Sequence, residues 1–300
     1  MQKSLQPASR EYPSLLKEIP QPPAVLYYEG ELDCLQEPAI AIVGSRHPSE
    51  YGRTVTLRLA KEIAERGIVV VSGFAQGIDL MAHQGALEGG GKTIAVLGAG
   101  LDIDYPRGDQ VWRREIRQKG LLLTELPPGT PPLSHNFPLR NRIISGLSLG
   151  VVVVEAALNS GSLITAQWAL EQNREIFAVP GPVDSPQSFG PHSLIQKGAK
   201  LVQRVEDILD EFPLFQVKQP QRDVERGDAS PCGKPLYNHL KEEEKKILLQ
   251  LTPTPKSVDE IMRRVNMESG AVLATLLSLE LRGVIQQHPG KQFSILREGS

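Results

Sequence analysis

The sequence contains only two cysteines, Cys34 and Cys232, and neither belongs to a CxxC motif or a Cys/His cluster. This scarcity argues against a disulfide framework and a structural zinc site, and it is typical of proteins in a reducing compartment. No run approaches the roughly 18 apolar residues that a membrane helix needs. The amino-terminal segment MQKSLQPASREYPSLLKEIP also lacks an apolar stretch of signal-peptide length. We therefore expect a cytoplasmic protein without a membrane partner.

The sequence has no excess of either charge, because 33 basic residues stand against 35 acidic residues and the net charge is -2. The overall charge therefore predicts no particular partner, and an anionic ligand would have to be attracted by a local basic patch. An apolar content of 40% fits a soluble globular protein with an ordinary core. A length of 300 residues suggests about two domains.

Several ligand-binding patterns are also missing. The text GAGLDI (98–103) lacks the third glycine of GxGxxG, so it does not support a dinucleotide cofactor. GGGKT (89–93) resembles the end of a P-loop, but its lysine precedes a predicted strand and does not open a helix. Four scattered histidines lack metal-ligand spacing: His47, His83, His135 and His192. We expect no cofactor, no metal and no catalytic residue.

Residues 39 to 210 alternate short apolar runs with amphipathic segments. Strands are predicted at 39–43, 68–72, 93–98, 121–125, 151–155 and 175–179. Helices are predicted at 51–66, 78–89, 108–119, 138–148 and 162–172. The repetition predicts a doubly wound α/β domain, since strands that are apolar on both faces are covered by helices on both sides. Right-handed crossovers then place the ligand at the carboxyl ends of the strands.

The predicted domain organisation has four parts. Residues 1–38 form an N-terminal extension that packs on a domain at 39–212, and residues 213–238, rich in Pro, Gln and mixed charges, form a linker. Residues 239–300 predict three helices and a hairpin, the pattern of a winged helix. The evidence is helical segments at 241–251, 258–265 and 268–282, a capping box at Ser257 and Glu260, a helix-ending Gly283 and a turn at Pro289–Gly290.

Two strand–loop–helix segments have the composition of anion sites. Gly44, Ser45 and Arg46 follow the first strand, where the next helix would offer free N–H groups and Arg46 a guanidinium suited to phosphate. The alternative is a tight turn with a solvated arginine. Gly161 and Ser162 open another helix that could take a phosphate. A simple cap by the preceding Asn159 or Ser160 would also explain that sequence.

The segment SHNFPLRNRIISG (134–146) combines an aromatic ring with two arginines. Pro138 is predicted at the first helical position, which leaves Phe137 just before the helix with a free ring. Burial of Phe137 in the core is the alternative. Arg140 and Arg142 are two residues apart and diverge by about 200° on a helix. One is expected to face the ligand and the other to pair internally, with Glu155 as a candidate partner.

Taken together, these segments resemble the DNA-processing protein A family (DprA, also called Smf). The matching segments are IVGSR (42–46), SGFAQGIDLMAHQGAL (72–87), FPLRNRIISGLS (137–148), VVVVEA (151–156), SGSLITA (160–166), FAVPG (177–181) and SLIQKGA (193–199). The resemblance implies an extended Rossmann-like domain, followed by a small winged-helix domain. It also implies a non-catalytic homodimer that binds single-stranded DNA without base specificity and loads RecA onto incoming strands in natural transformation.

The resemblance implies DNA contacts at the positions that match the family's motifs. These are Gly44, Ser45, Arg46, Ser72, Gly73, Phe137, Arg140, Asn141, Arg142, Gly161 and Ser162. Cationic groups would hold phosphates, and an aromatic ring would stack on a base. Gln76 stands where many members of the family have a basic residue, so one peripheral charge contact is in doubt.

Two other classes of function remain as alternatives. One is a nucleotide N-glycosidase on the same fold, similar to the lysine-decarboxylase-like phosphoribohydrolases. Their PGGxGTxxE segment has a glutamate three residues after its threonine, where this chain has Trp168 after Thr165. The other is a transcription factor that acts through the winged helix, although the segment ESGAVLATLLSLELRG contains Arg282 as its one basic residue. Duplex reading usually needs several phosphate contacts.

Overall fold

The computed structural model of the chain describes residues 3–106 and 108–212 and six shorter stretches towards the carboxyl end. Those stretches are 246–248, 250–251, 256–265, 269–281, 285–288 and 292–295. The chain divides into two compact units, Met1–Pro220 and Gln221–Ser300. The predicted linker at 213–238, the helix-ending Gly283 and the Pro289–Gly290 turn lie outside the described residues.

A nine-stranded sheet forms the centre of the first unit. Its strands are β1 (Lys3–Leu5), β2 (Leu26–Gly30), β3 (Ala39–Val43), β4 (Val69–Ser72), β5 (Thr93–Val96), β6 (Leu121–Thr124), β7 (Gly150–Val153), β8 (Glu175–Ala178) and β9 (Lys200–Leu201). They lie in the order β1-β2-β6-β5-β4-β3-β7-β8-β9. All neighbours from β6 to β9 in that order are parallel, whereas β1 and β2 join the edge in antiparallel pairs.

Helices cover both faces of this sheet. They are α1 (Ser14–Lys17), α2 (Glu50–Glu65), α3 (Ile78–Glu88), α4 (Gln110–Lys119), α5 (Asn136–Gly146), α6 (Gly161–Glu171), α7 (Phe189–Gln196) and α8 (Glu206–Leu209). Short 3₁₀ helices lie at Leu32–Leu35 and Pro186–Ser188. The predicted α/β fold with a mostly parallel sheet is confirmed. Each of the eleven predicted elements of this unit starts and ends within about two residues of its predicted bounds.

Strand β3 shows why the central runs are apolar at every position. Ala41 and Val43 belong to the core on one face of the sheet, together with Leu16 from the amino-terminal segment. Ile40 and Ile42 belong to the core on the other face, which α2 and α3 cover. Because successive side chains point to opposite faces, a strand covered on both sides needs apolar residues throughout.

The sequence predicts only that the amino-terminal segment packs on the α/β domain. In the structure, this segment also contributes two strands to the sheet. Strand β2 pairs with β6 in antiparallel register, with Tyr27 opposite Thr124 and Gly30 opposite Leu121. Leu16 and Ile19 pack so closely on α5 that a Cβ at Gly146 would lie 2.8 Å from Leu16 Cδ1. Residues 3–38 therefore help to hold α5, the helix that contains Phe137 and Arg140.

The order of the strands defines a switch point between β3 and β7. The chain proceeds from β3 through β4 and β5 to β6 on one side, then returns to β7 on the other side of β3. Loops that leave adjacent parallel strands in opposite directions open a crevice at their carboxyl ends, which is where ligands bind in doubly wound sheets. The loops after β3 and β7 are the two that the sequence marks as anion sites.

Besides the helical residues 246–248, which lie within the helix predicted at 241–251, the described part of the second unit contains two helices and a three-stranded antiparallel sheet. These are β10 (Lys256–Ser257), α9 (Val258–Arg264), α10 (Ser269–Leu281), β11 (Ile285–His288) and β12 (Gln292–Ile295), with sheet order β10-β12-β11. Ser257 Oγ accepts a hydrogen bond from Glu260 N at 3.3 Å, so the predicted cap is confirmed. The pairing of β11 with β12 confirms the predicted hairpin. Within the described residues, no helix combines the length and apolarity that crossing a membrane requires.

Candidate functional site

Two adjacent cavities lie at the carboxyl ends of the central strands. A small cavity of about 370 Å³ and a large cavity of about 580 Å³ share Arg46, Ala75, Tyr105 and Phe137 in their walls, and together we call them the groove. Loops after β3, β4 and β5 contribute residues to it, which places the groove at the edge where right-handed crossovers predict a ligand.

The loop after β3 presents Arg46 to both cavities. Ile78 N donates to Ser45 O at 3.1 Å, and Gly77 has φ +84° with no room for a Cβ, which would lie 2.4 Å from Ser45 O. The Ser45 hydroxyl is buried and accepts from His47 N at 3.1 Å. Arg46 itself is exposed, and among the described residues it forms no hydrogen bond or ion pair. Its guanidinium carbon lies 5.7 Å from the centroid of the Phe137 ring.

The start of α2 is already occupied by a carboxylate of the protein. Glu155, only 4% exposed, accepts from Ser49 N at 2.8 Å and from Ser49 Oγ at 2.5 Å. A Cβ at Gly52 would lie 2.3 Å from Glu155 Oε2, so the glycine gives the carboxylate its space. Glu155 therefore lies at the helix start where the sequence predicts a ligand anion, and the two hydrogen bonds it accepts come from the cap residue Ser49. The positive end of α2 thus holds Glu155.

The start of α6 is open by comparison. Ser160 Oγ accepts from Ser162 N at 3.3 Å, which confirms Ser160 as the cap among the two candidates. Gly161 has open space around its Cβ position, and both Gly161 and Ser162 line the large cavity. Asn141 Nδ2 donates to Gly161 O at 3.1 Å and so fixes this helix start to α5. Among the described residues, no carboxylate accepts a hydrogen bond from the first turn of α6.

Arg140 forms the buried base of the groove. Its Nη1 donates to Gly73 O at 2.6 Å and to Val96 O, which ties the ends of β4 and β5 together. Burial lowers the pKa of Arg140 to about 10, an effect that the nearby Asp79 carboxylate opposes, so the guanidinium stays charged at neutral pH. A Cβ at Gly73 would lie 2.7 Å from Asp79 Oδ2 and 2.8 Å from Arg140 Nη2, so the space between these charges requires glycine.

Asp79 holds the loop that follows β4. Its Oδ2 accepts from Gly73 N at 3.2 Å and Ala75 N at 3.3 Å. Burial raises the pKa of Asp79, whereas the Arg140 charge and these N–H donors lower it. Arg140 and Asp79 thus lie close together under the groove, and their hydrogen bonds to backbone groups keep its walls in place.

Arg142 points away from the groove. Its two terminal nitrogens donate to Glu125 Oε1 at 2.8 Å and Oε2 at 2.6 Å, and its side chain is only 10% exposed. The predicted divergence of Arg140 and Arg142 is confirmed, but the suggested pairing of Arg142 with Glu155 is wrong. The carboxylate just after β6 lies on the side of α5 to which Arg142 points, whereas Glu155 is held at α2.

Phe137 is neither free nor a core residue. It is the second residue of α5 and not the residue before it, because the helix begins at Asn136. Pro138 is tolerated at the third position because N–H groups in the first turn have no partner in the helix. The half-buried ring lies 5.5 Å from the Tyr105 ring and 5.9 Å from the Arg140 guanidinium. A Cβ at Gly98 would be 2.7 Å from the ring, which packs directly on that backbone.

The structure brings most, but not all, of the predicted DNA contacts to the groove. The large cavity is lined by Gly44, Arg46, Phe137, Arg140, Asn141, Gly161 and Ser162, and the small cavity by Gly73 in addition to the shared residues. Three predicted residues line neither cavity: Ser45, Ser72 and Arg142. Ser72 is fully buried and donates to Ile42 O at 2.6 Å, so its hydroxyl links β4 to β3.

Tyr105 is a wall residue that the sequence patterns did not identify. It lies in the loop after β5, and its ring borders both cavities. The rule that ligands bind at the carboxyl ends of the strands would have included this loop. Within the described residues no group of three or more His, Cys, Asp or Glu side chains has the arrangement of a metal site.

Comparisons with known proteins identify relatives of both units. The model of the family described as DNA recombination-mediator protein A matches residues 3–213, and that of the DprA winged helix domain matches residues 234–291. The second match confirms the predicted winged helix. The chain is similar to Protein Smf of Escherichia coli (strain K12), with 43% identity over 289 residues, which covers 95% of this chain and 75% of the relative. It is 48% identical to DNA processing protein DprA of Bacillus subtilis (strain 168) over 207 residues, 69% of this chain and 70% of the relative.

Two solved structures share the fold of the first unit. DNA processing protein A from Streptococcus pneumoniae is similar with a TM-score of 0.68 and 46% identity, covering 70% of this chain and 74% of that chain. The structure of DNA processing protein A from Helicobacter pylori, described in terms of its single-stranded DNA binding mode, is similar with a TM-score of 0.63 and 31% identity. That comparison covers 70% of this chain and 97% of the other.

Proposed function

Because the chain belongs to the DNA recombination-mediator protein A family, we propose that its first unit binds single-stranded DNA without reading base sequence. The observation that carries the proposal is Arg46, an exposed guanidinium at the junction of two cavities that contacts the Phe137 ring and forms no hydrogen bond or ion pair with the described residues. The Helicobacter pylori relative, 31% identical, is described as a single-stranded DNA-binding protein, which supports the same ligand here.

Phosphate binding falls to the groups that face the large cavity. Arg46 offers a fork of donors, and the open start of α6 at Gly161 and Ser162 offers N–H groups at the positive end of a helix. Gly44 keeps the backbone close, and Arg140 adds a positive charge from below. These contacts recognise the backbone, so they act alike on every sequence.

Base binding falls to Phe137 and Tyr105. Stacking on aromatic rings tolerates any base, because every base has a π-face. Both rings lie inside the groove, so a paired base within a duplex cannot reach them without leaving its stack. The protein is therefore expected to prefer single strands.

The remaining predicted residues act on the shape of the groove in this proposal. Gly73 and Asn141 hold its walls, Ser45 holds the Arg46 loop, and Ser72 and Arg142 fix strands and α5 from behind.

A recombination mediator needs a recombinase, so we propose that RecA is the partner, that the chain loads RecA onto incoming strands in natural transformation, and that it acts in the cytoplasm as a homodimer. The family description as a recombination mediator supports the recombinase partner. Assembly of RecA on DNA that is covered with single-strand-binding protein tests the loading step, and sedimentation equilibrium tests the dimer. Unchanged RecA assembly upon addition of the chain would contradict the loading role.

The direct test compares a single strand and a duplex of equal length over a salt series. We expect tighter binding to the single strand and a linear fall of log K with log salt. The same preparation should be incubated with nucleoside monophosphates to test the N-glycosidase alternative. At the position where that family's motif has glutamate, Trp168 Nε1 donates to Pro138 O at 3.2 Å and links α6 to α5. Equal affinity for both DNA forms, or release of free base, would overturn the proposal.

A further inference from the structure

We propose that Trp168, on the surface of α6 outside both cavities, is a stacking platform for a base of the strand where it leaves the groove. The inference rests on the proposed function and deepens it, because it adds a binding residue beyond the groove. The bound strand would then continue from the large cavity onto the outer side of α6.

Trp168 lies on the side of α6 that leads out of the large cavity. Gly161, Ile164 and Trp168 are spaced by three and four residues, so they share one side of the helix, and Trp168 lies about 10 Å along the axis from Gly161. Gly161 and Ile164 line the large cavity, whereas Trp168 lines neither cavity. A ligand that extends past Ile164 along α6 therefore reaches the Trp168 ring.

The indole ring of Trp168 is fixed in place without being part of the core. Its Nε1 donates to Pro138 O at 3.2 Å, and Pro138 is an exposed residue in the wall of the large cavity. The four hydrophobic clusters of the described residues do not include Trp168, whereas the half-buried Trp112 packs against one of them. A partly exposed ring that is already oriented loses little freedom when a base stacks on it.

The groove has room for only a short part of a strand. The large cavity of about 580 Å³ lies in the range of pockets that hold one small molecule, about 300–1,000 Å³. Further nucleotides must therefore run over the walls, and beyond the α6 wall they meet an aromatic ring. Stacking on a ring does not select among bases, so this contact keeps the binding independent of sequence.

The charge next to Trp168 limits the contact to the base. Glu171, one turn farther along α6, is exposed and accepts a hydrogen bond from Gln167 Nε2 at 3.2 Å. Its carboxylate repels phosphates, so the strand is not expected to follow α6 beyond Trp168. The indole itself binds no phosphate, so it should contribute affinity without contributing to the salt dependence.

Intrinsic fluorescence of the full chain tests the contact directly. The chain has two tryptophans, so Trp112→Phe leaves Trp168 as the single emitting tryptophan. Oligothymidylates of increasing length should quench this emission above a threshold length, at which the strand passes Ile164 and a base stacks on the indole. Binding of long strands with unchanged emission would overturn the inference.

Two substitutions at Trp168 separate stacking from packing. Trp168→Ala should weaken binding of a long oligothymidylate by about 5-fold to 150-fold, the range that stacking of one base supports, with an unchanged salt slope. Trp168→Phe keeps a ring but removes the donor to Pro138 O, so it should retain most of the affinity. Equal losses for the two variants would assign the residue to the link between α5 and α6 and overturn the inference. Wild-type affinity of Trp168→Ala would overturn it as well.

Leu170→Ala is the matched control on the same helix. Leu170 is 69% exposed and diverges from Trp168 by about 200°, so its removal should leave the affinity and its length dependence unchanged. Failure of the full chain to bind any single strand would overturn the proposed function itself. Strand binding whose affinity and emission do not depend on Trp168 would overturn the stacking platform alone.

Discussion

The helices that follow β3 and β7 begin alike in sequence but differ in what their first turns contact. Both follow a buried strand and a short loop, and both are capped by a serine, Ser49 or Ser160. The start of α2 is filled by Glu155, whereas the start of α6 lines the large cavity. The comparison teaches that a strand–loop–helix pattern marks a place with positive potential, but the rest of the fold decides whether the protein or a ligand occupies it.

The two arginines of α5 repeat the same contrast. Arg142 forms a bidentate ion pair with Glu125. Arg140 lines the large cavity, and Asp79 is the carboxylate that opposes the lowering of its pKa. Removing a charge that is neutralised within the protein should lower the free energy of unfolding. Removing a charge that faces the groove should lower the salt dependence of DNA binding.

The largest expected effect concerns the internally paired arginine. Arg142→Ala leaves the Glu125 carboxylate without its partner; removing one member of a fully buried pair costs about 3–5 kcal/mol, and because Glu125 is 23% exposed we expect the lower end of that range. Urea denaturation should show this loss in the free energy of unfolding. The folded fraction of the variant should keep the wild-type salt slope for DNA binding, because no groove contact is removed.

An exposed ion pair gives the control for this prediction. Arg66 contacts Glu206 at 2.6 Å with both side chains more than a third exposed, so Arg66→Ala should cost less than about 1 kcal/mol. Near-normal stability of Arg142→Ala together with a lower salt slope would show that Arg142 contacts DNA, as the family resemblance implies.

The second largest effect concerns the filled start of α2. Glu155→Ala removes a buried acceptor from two donors of Ser49, and a hydrogen bond to a charged group contributes about 1.5–3 kcal/mol. Glu50→Ala, which removes an exposed carboxylate from the first turn of the same helix, should cost about 0.3–1 kcal/mol. Ser160→Ala at the open helix should cost about 1 kcal/mol. Equal losses for Glu155→Ala and Ser160→Ala would remove the distinction between the two helix starts.

The sequence predicts the central sheet well because each central strand is apolar on both faces. The edge strands are not predicted because they lack this pattern. Strand β2 has the sequence LYYEG with most positions half-buried, and β9 has only two residues, so neither carries a continuous apolar run. Their pairing depends on the neighbouring strand, and a local pattern cannot report it.

The composition of the groove is predictable to the extent that it follows from loops at the strand ends. Arg46 and Gly161 follow from that rule, whereas Phe137 follows from the combination of an aromatic ring with arginines in the segment 134–146. The partners of the charged residues were not, because Glu125 and Glu155 both follow apolar strands, as LLLTE and VVVVE. Which of them meets Arg142 depends on how α5 crosses the sheet, and that geometry leaves no local signal in the chain.

The third prediction concerns the aromatic ring of the groove. Phe137→Ala should weaken binding to single-stranded DNA by about 1–3 kcal/mol if a base stacks there. The salt slope should hardly change, because no phosphate contact is lost. Since the ring is half-buried, the variant should avoid the loss of about 3–5 kcal/mol in stability that deletion of a fully buried Phe causes. Thermal unfolding and DNA affinity should be measured on one preparation. A loss of binding that follows the unfolded fraction would assign the ring to packing.

The smallest expected effect concerns Arg46, the exposed arginine in the wall of both cavities. Arg46→Ala removes one phosphate contact, so the slope of log K against log salt should fall by about 0.7, the increment per contact on a single strand. Stability should be almost unchanged, because Arg46 is exposed and makes no hydrogen bond or ion pair with the described residues.

The neighbouring Arg53→Ala, an exposed arginine on α2 outside both cavities, is the matched control and should leave the slope as it is. The loss for Arg46→Ala should be the same on oligothymidylate and on mixed-sequence strands, since a phosphate is common to both. A loss that depends on base composition would mean that Arg46 reads bases, and an unchanged slope would place the phosphates elsewhere than at the loop after β3.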